Sequence, residues 1–328
     1  MLKNKTILIT GGTGSFGKNF AKFLLKNHKL KKLIIFSRDE FKQYEMQKEI
    51  SDPRIRFFIG DVRDLPRLQR AFNGVDIVVH AAALKQVPTL EYNPFEAVKT
   101  NIIGSQNVIE AAIDQKVSKT LLISSDKAVQ PINLYGATKL AAEKLFVAAN
   151  SYTALPKRSI FSAVRYGNVM GSRGSIIESL LKNPTAKKVF VTHPDMTRFW
   201  LTLPESFRLV LFALENMGGG EIVVPRIPSM KITELFDALV PHAKKIITGI
   251  RLGEKIHETL LTEHEARNTL LVKNYFVILP EFTAKPEFFK HYYNLGSKLD
   301  NHVPFASDNN TVWLTKKELK SKLKPTLL

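Results

Sequence analysis

A glycine-rich segment close to the start of the chain limits the possible folds more than any other feature. Residues 6–10 form a short apolar run that predicts a β-strand, and residues 10–17 read Thr-Gly-Gly-Thr-Gly-Ser-Phe-Gly before a helical pattern begins. Glycines let the backbone turn tightly and approach a pyrophosphate, whose charge is attracted by the free N–H groups of a helix N-terminus. The strand, the loop and the helix therefore predict a dinucleotide-binding unit.

The first half of the chain alternates short apolar runs with longer amphipathic patterns. This alternation is typical of a doubly wound parallel sheet with helices on both faces, which is the α/β architecture of the NAD(P)-binding Rossmann fold. The predicted strands cover residues 6–10, 33–37, 56–59, 76–80, 120–124 and 160–165. The predicted helices cover residues 16–27, 38–50, 65–72, 94–115 and 134–150.

The regular alternation breaks up after residue 168, where glycine and proline become more frequent. We therefore predict a Rossmann domain at residues 1–168 and a smaller second lobe at residues 169–328. Residues 221–224 follow a triple-glycine turn and have the pattern of a strand that rejoins the main sheet. The two parts are expected to be interleaved in sequence.

Composition excludes several classes of protein. The chain has 328 residues and no cysteine, which rules out disulfides, thiolate nucleophiles and zinc ribbons. The formal net charge is +18, but the basic residues are scattered and no nucleic-acid-binding motif accompanies them, so a solvated basic surface is favoured. No apolar run reaches the roughly 18 residues of a membrane span, and we expect a cytoplasmic protein without membrane contact. No His, Asp and Glu cluster has metal-ligand spacing, so no metal is expected.

The end of the second predicted strand bears on the choice between NAD and NADP. An acidic residue at this place would bind the ribose 2′-hydroxyl of NAD. Here Ser37 and Arg38 come first, and a hydroxyl with a guanidinium suits a 2′-phosphate, so we favour NADP, while Asp39 keeps NAD open. The ends of the third and fourth strands, at residues 61–62 and 81–83, are expected to hold adenine and ribose.

A tyrosine and a lysine stand four residues apart in a helical pattern. Tyr135 and Lys139 therefore project from one face of the predicted helix 134–150. An ammonium beside a phenol lowers the phenol's pKa from about 10 toward neutrality, which suits a general base. Asp126 and Lys127, an acid beside a base, end the preceding strand. From spacing alone, this pair is either a structural ion pair or a catalytic pair.

These motifs together resemble the extended short-chain dehydrogenase/reductase family over nearly the whole chain. Within that family, they are similar to the inverting UDP-N-acetylglucosamine 4,6-dehydratases, whose product opens the route to pseudaminic acid. The matching segments are residues 37–40, 80–88, 125–128, 131–139, 165–169, 196–199 and 253–258.

The resemblance implies a role for each of four side chains. Tyr135 would take the proton of the sugar 4-hydroxyl, and Lys139 would stabilise the phenolate and hold the nicotinamide ribose. Lys127, neutral because burial near Lys139 and oxidised nicotinamide depresses its pKa, would remove the C5 proton, and Asp126 would protonate the departing 6-hydroxyl. The product would be UDP-2-acetamido-2,6-dideoxy-β-L-arabino-hex-4-ulose. NADP would be regenerated in each turnover and should stay tightly bound.

The resemblance and the glycine loop give two sets of expected contacts. The cofactor contacts are Gly11, Thr13, Gly14, Ser15, Phe16, Gly17, Ser37, Arg38, Lys42, Asp61, Val62, Ala81, Lys85, Tyr135 and Lys139. The contacts to UDP-N-acetylglucosamine are Lys85, Asn168, Ser175 and Arg251. Relatives of this kind pair through the helices predicted at residues 94–115 and 134–150, so a homo-oligomer, a dimer or a hexamer, is implied.

Three other functions fit part of the pattern. A sugar-nucleotide 4-epimerase would need Tyr135 and Lys139 but not the pair at 126–127. Retaining 4,6-dehydratases usually carry Asp-Glu at this pair, so Lys127 favours inversion. An NADP-sensing regulatory protein on the same fold usually loses the tyrosine or the lysine, and both are present here.

Overall fold

The computed structural model describes residues 1–151, 159–281, 289–299 and 303–323. The strands in these ranges are β1 (Thr6–Thr10), β2 (Lys32–Ser37), β3 (Ile55–Ile59), β4 (Ile77–His80), β5 (Lys119–Ile123), β6 (Ile160–Val164), β7 (Asn168–Val169), β8 (Lys188–Val191), β9 (Thr197–Leu201), β10 (Ile222–Pro225), β11 (Ser229–Lys231), β12 (Lys244–Ile247), β13 (Thr259–Leu261), β14 (Thr269–Val272), β15 (Tyr275–Ile278), β16 (Ser297–Lys298) and β17 (Phe305–Ala306). The α-helices are α1 (Ser15–Asn27), α2 (Glu40–Glu49), α3 (Leu65–Phe72), α4 (Val87–Tyr92), α5 (Pro94–Ala97), α6 (Gly104–Asp114), α7 (Leu134–Ala148), α8 (Ile176–Lys182), α9 (Leu203–Asn216), α10 (Ile232–Leu239), α11 (Glu263–Ala266), α12 (Lys290–Leu295) and α13 (Lys316–Leu323).

The main sheet confirms the predicted doubly wound α/β fold. Among the described residues it has ten strands in the order β16-β14-β15-β10-β6-β5-β4-β1-β2-β3. The seven strands β10, β6, β5, β4, β1, β2 and β3 each pair in parallel with their neighbours in this order. β15, β14 and β16 then extend the sheet in antiparallel fashion. The sheet thus takes strands from both sides of residue 168, and the division into two domains at that point stays a prediction.

The central strands read as continuous apolar runs because both of their faces are covered. Every residue of β1, β4 and β10 is buried, as expected for parallel strands between two helical layers. Helix α1 packs Phe20 and Leu24 onto the sheet, and both side chains are fully buried. The parallel strands consequently form a rigid platform whose carboxyl ends meet at one edge.

A smaller second core lies beside the main one. It contains Trp200, Met230 and Leu235 and is completed by α13 from the far end of the described chain. The side chains of β9 alternate between the two cores, because Phe199 and Leu201 belong to the main core and Trp200 belongs to the second. This shared strand joins the smaller lobe to the sheet.

The helix predicted at residues 94–115 is divided by a π-helical segment at Val98–Ile103. Asn101 in this segment is buried, and its amide bonds both the N–H and the C=O of Leu84 and the hydroxyl of Thr138. π-Helical insertions commonly re-aim one side chain at a functional site. Here the insertion ties the loop after β4 to α7.

A buried ion network fixes α7 against the sheet. Arg165, which directly follows β6, is 1% exposed. Its Nη2 atom lies 2.7 Å from Oε2 of Glu143 on α7 and 2.9 Å from Oε1 of Glu265 on α11. The network therefore connects three elements around one buried guanidinium.

Candidate active site

A cleft of about 520 Å³ opens at the carboxyl ends of the central strands. It lies where a doubly wound sheet binds its ligands. The predicted residues that line it are Gly11, Gly14, Ser15, Phe16, Gly17, Ala81, Lys85, Asp126, Lys127, Tyr135, Lys139, Asn168 and Ser175. Six expected cofactor residues are not among the residues that line this cleft, and they lie at or beyond the carboxyl ends of β1 to β3 or on α2: Thr13, Ser37, Arg38, Lys42, Asp61 and Val62.

The glycine loop packs closely against neighbouring backbone, so that two of its glycines have no space for a side chain. A Cβ on Gly11, whose φ is +63°, would lie 2.8 Å from the backbone of Ala82, and a Cβ on Gly17 would lie 2.6 Å from Cα of Gly12. No side chain caps the N-terminus of α1, and its first turn contains no acidic residue. The helix end can therefore meet a pyrophosphate, and these residues fit a dinucleotide.

The end of β2 places a hydroxyl and a guanidinium next to the glycine loop. The hydroxyls of Ser37 and Thr13 lie 2.9 Å apart. The side chain of Arg38 is 54% exposed, and its Nη1 atom lies 3.7 Å from Oδ2 of Asp61. Asp39 is engaged elsewhere, because its carboxylate caps α2 and pairs with the ammonium of Lys42.

Two residues expected at the third and fourth strand ends differ in accessibility. The carbonyl of Val62 accepts a hydrogen bond from the Asn107 amide, and the Val62 side chain is buried against the position of Gly104. Ala81 follows β4 and lines the cleft. Ala81 is therefore the more exposed of the two to a ligand in the cleft.

Gly136 brings α7 into direct contact with the pair at 126–127. A Cβ at this position would lie 2.1 Å from the carbonyl oxygen of Lys127. Asn133 caps the same helix by accepting a hydrogen bond from the N–H of Gly136. Tyr135 and Lys139, one turn apart, consequently face the end of β5.

The pKa of Tyr135 shifts in the direction opposite to the sequence expectation. Nζ of Lys139 donates to the carbonyl of Ile123 at 2.7 Å, and burial lowers the pKa of this ammonium to about 8. Burial raises the pKa of the Tyr135 hydroxyl, and the nearby charge of Lys127 offsets this only in part. The expected shift of the Tyr135 pKa toward neutrality is therefore wrong for the protein alone.

Asp126 and Lys127 form a close pair on a 3₁₀ turn directly after β5. Oδ1 of Asp126 lies 3.2 Å from Nζ of Lys127 and accepts a hydrogen bond from the Ser125 hydroxyl at 2.8 Å. Asp126 is 1% exposed, and no described residue hydrogen-bonds its Oδ2 atom. One carboxyl oxygen is thus buried without a described partner at the edge of the cleft.

The expected lowering of the Lys127 pKa is wrong. Burial alone would lower it, but the carboxylates of Asp126 and Glu258 outweigh burial and raise the pKa of this ammonium above its ordinary value. Oε1 of Glu258 accepts a hydrogen bond from Nζ of Lys127 at 3.0 Å. The sequence expectation considered Lys139 and the cofactor but omitted this second carboxylate.

The expected substrate residues divide into two groups. Lys85, Asn168 and Ser175 line the cleft, where Nζ of Lys85 donates to the carbonyl of Arg173 and Ser175 caps α8. Arg251 lies exposed in a loop and is not among the residues that line the cleft. The structure therefore does not bring Arg251 together with the other three.

Sequence reasoning missed several residues of the site. Tyr166 and Arg173 line the cleft, and the backbone N–H of Arg173 donates to the hydroxyl of Ser15 in the glycine loop. Glu258 lies in a segment that already matched the dehydratases, so the motif at residues 253–258 was the available signal. No group of three or more His, Asp or Glu side chains in the described part of the chain is placed to hold a metal ion. In the same residues, no helix is both long and apolar enough to cross a membrane.

Two relatives share almost the full length of the chain. A Campylobacter jejuni protein named UDP-N-acetylglucosamine 4,6-dehydratase (inverting) is 49% identical over 325 residues, which cover 97% of each chain. A Rickettsia conorii protein named UDP-glucose 4-epimerase is 40% identical over 331 residues, which cover 98% of this chain and 96% of that one.

Solved structures and a family model agree with this similarity. The structure of Pen from Bacillus thuringiensis has a TM-score of 0.89 at 36% identity and covers 100% of this chain and 99% of its own. DesIV, a dTDP-glucose 4,6-dehydratase from Streptomyces venezuelae with NAD and TYD bound, has a TM-score of 0.66 at 21% identity, covers 76% of this chain and 86% of its own, and shows the fold alone. The model of a family described as polysaccharide biosynthesis protein matches residues 7–280. The chain therefore belongs to this polysaccharide biosynthesis family.

Proposed function

We propose that the protein is a UDP-N-acetylglucosamine 4,6-dehydratase that inverts C5 and recycles tightly bound NADP. The observation that carries this proposal is the placement of an acid, an amine, a phenol and a second amine around one cleft. These side chains are Asp126, Lys127, Tyr135 and Lys139. The similarity to a protein with this printed name over 97% of the chain supports the assignment.

The phenol and the second amine act at C4. A bound NADP would supply the hydride acceptor for oxidation at C4 and the hydride donor for reduction at C6. As a phenolate, a form that the raised pKa of its hydroxyl disfavours in the protein alone, Tyr135 takes the proton of the sugar 4-hydroxyl. Lys139, whose pKa is lowered to about 8 by burial, stabilises that phenolate and bonds the nicotinamide ribose.

The acid and the first amine act at C5 and C6. The chemistry requires a neutral Lys127 and a protonated Asp126, whereas an ion pair has the opposite arrangement. Nζ and Oδ1 lie 3.2 Å apart, so the transfer of one proton from Lys127 to Asp126 yields both required forms without changing the net charge. Lys127 then removes the C5 proton, and Asp126 protonates the departing hydroxyl.

The preference for NADP makes Arg38 the decisive cofactor residue. Replacing Arg38 with alanine should weaken NADP binding by about 10- to 100-fold, because a hydrogen bond to a charged group contributes about 1.5–3 kcal/mol. NAD, which lacks the 2′-phosphate, should bind the variant as it binds the wild type. Fluorescence titration of protein stripped of cofactor measures both affinities.

Arg63 provides a matched control for this variant. Its guanidinium lies 2.8 Å from Oδ2 of Asp61, the same carboxylate that Arg38 approaches. Replacing Arg63 with alanine should leave the ratio of NADP to NAD affinity unchanged. An equal loss of both cofactors in the Arg38 variant would contradict the assignment to the 2′-phosphate.

The wider setting of the reaction is also part of the proposal. We place the protein in the cytoplasm as a homo-oligomer, a dimer or a hexamer, that makes the first intermediate towards pseudaminic acid. A chain without cysteine is compatible with a reducing compartment. Exposed apolar side chains on α4 and α5 support self-association, since Tyr92 is 88% exposed and Phe95 is 61% exposed. Neither nucleic acid nor a membrane is proposed as a partner.

The chief rival is a 4-epimerase, a name carried by a 40% identical relative. Epimerisation at C4 needs the phenol and the nicotinamide but leaves C5 and C6 untouched. An acid–amine pair 3.2 Å apart, with the acid buried, has no task in that reaction. This pair is the reason for preferring dehydration.

Proton NMR of the purified protein with UDP-N-acetylglucosamine in deuterated water tests the proposal. Without added cofactor, we expect a 6-methyl signal and a product of L-arabino configuration that carries deuterium at C5. Unchanged substrate, even after NADP is supplied, would overturn the substrate assignment. A product with unaltered C5 would overturn inversion, and a C4 epimer would support the rival.

A further inference from the structure

Glu258 reaches the proposed base from a part of the chain far from the catalytic motifs. It directly precedes β13, is 2% exposed, and its Oε1 atom accepts a hydrogen bond from Nζ of Lys127 at 3.0 Å. Its backbone is fixed, because its N–H donates to the Ser307 hydroxyl and its C=O accepts from the Ser307 N–H. The backbone of Glu258 is therefore held in place independently of Lys127.

The surroundings of Lys127 explain why Glu258 matters to its charge. The titratable and charged groups that act on Lys127 are Asp126, Glu258, Arg198, Lys255 and Tyr135. Nε of Arg198 lies 3.8 Å from Glu258, and its Nη atoms donate to backbone carbonyls. Glu258 thus accepts its hydrogen bond from Lys127 and not from the guanidinium.

We infer that Glu258 is a positioning residue for Lys127. It holds the amine against Asp126 and keeps bound to this pair the one proton that the reaction moves. The inference rests on the proposed function, since it assigns a partner to the proposed base. Glu258 touches neither the sugar nor the cofactor in this role. It acts through the amine.

The proton balance of the reaction shows what this carboxylate contributes. The ammonium of Lys127 breaks one N–H bond, and Asp126 forms one O–H bond. The neutral amine then removes the C5 proton and becomes an ammonium again, while Asp126 gives its proton to the 6-hydroxyl, which leaves as water. Lys127 is now a cation between two carboxylates. The resting pair has the same charges, so Glu258 stabilises the ammonium equally before and after the step, and its contribution is to hold the amine in place and to keep the proton on the pair.

Competitive acetylation with acetic anhydride measures the effect on Lys127 without requiring turnover. Mass spectrometry of the Lys127 peptide across a pH series gives the pH at which the amine becomes reactive. In Glu258→Gln, this pH should fall by about 1–3 units, the usual effect of an opposite charge within 4–6 Å. In Glu258→Asp, which keeps the charge one methylene further away, the fall should be smaller.

Glu254→Gln is the matched control, because it removes a carboxylate from the same loop. Oε1 of Glu254 lies 3.9 Å from Arg198, and no hydrogen bond joins Glu254 to Lys127 within the described residues. Its acetylation profile should match that of the wild type. The same profile in Glu258→Gln as in the wild type would overturn the inference.

Kinetics separate this inference from the proposed function. With an active wild type, Glu258→Gln should lower kcat with an unchanged KM, and the alkaline limb of its kcat profile should move to lower pH by the same 1–3 units. An unmoved limb would overturn the inference. A wild type that makes no 6-deoxy-4-keto product would overturn the proposed function, whereas the acetylation shift would still support the action of Glu258 on Lys127.

Discussion

Replacing Lys127 with alanine should reduce formation of the 6-deoxy-4-keto sugar by about 10²- to 10⁴-fold, the usual contribution of a general acid or base. The variant loses the amine that removes the C5 proton but keeps the phenol and amine that act at C4, Tyr135 and Lys139. We therefore expect oxidation at C4 to continue and the reaction to stop there. The absorbance of reduced nicotinamide in a single turnover, together with NMR of the sugar, measures both steps.

A lysine at the other end of the same strand controls for the loss of a charge. Lys119 begins β5, at the opposite end from the cleft, and its ammonium donates to the carbonyl of Leu214. Replacing Lys119 with alanine should leave the rate of dehydration close to that of the wild type. If the Lys127 variant still exchanges C5 with deuterated water, another group is the base. If it produces a C4 epimer, the protein is an epimerase.

The parts of the fold that could be predicted from sequence are those that depend on local pattern. Parallel strands buried on both faces give continuous apolar runs, and residues 6–10 and 160–165 were placed by this signal to within a residue or two of β1 and β6. Glycines at 11 and 17 are required by close backbone contacts that any side chain would disrupt. Such features are determined by residues that lie close together in the sequence.

The rest depends on contacts between distant segments. Glu258 and Lys127 are separated by 131 positions, so nothing near Lys127 in the chain indicates its second carboxylate. Together with Asp126, this distant partner raises the Lys127 pKa against the effect of burial. The antiparallel extension of the sheet by β14 to β16 similarly has no signal beyond short apolar runs. Sequence predicts which groups are present in the site, but tertiary packing determines their protonation.

The buried ion network predicts a large loss of stability when Arg165 is replaced. Its guanidinium is 1% exposed and lies within 3 Å of carboxylates on α7 and α11, of which Glu143 is also 1% exposed. Replacing Arg165 with alanine leaves Glu143 buried without its cation, and removal of one partner of a buried pair costs about 3–5 kcal/mol. We expect the free energy of unfolding, measured by urea denaturation, to fall by that amount.

Replacing Arg267 with alanine is the control that distinguishes loss of the buried ion network from loss of an arginine in general. It follows α11, and its side chain is 60% exposed where it approaches Glu263. Because exposed ion pairs contribute little, replacing Arg267 with alanine should leave the urea midpoint close to that of the wild type. A second variant, Arg165→Ala combined with Glu143→Leu, also removes the buried carboxylate that has lost its cation, and it should recover part of the lost free energy of unfolding. The expected loss of stability arises from the uncompensated carboxylate of Glu143 in the core. Equal urea midpoints for the Arg165 and Arg267 variants would therefore contradict the role of the buried network.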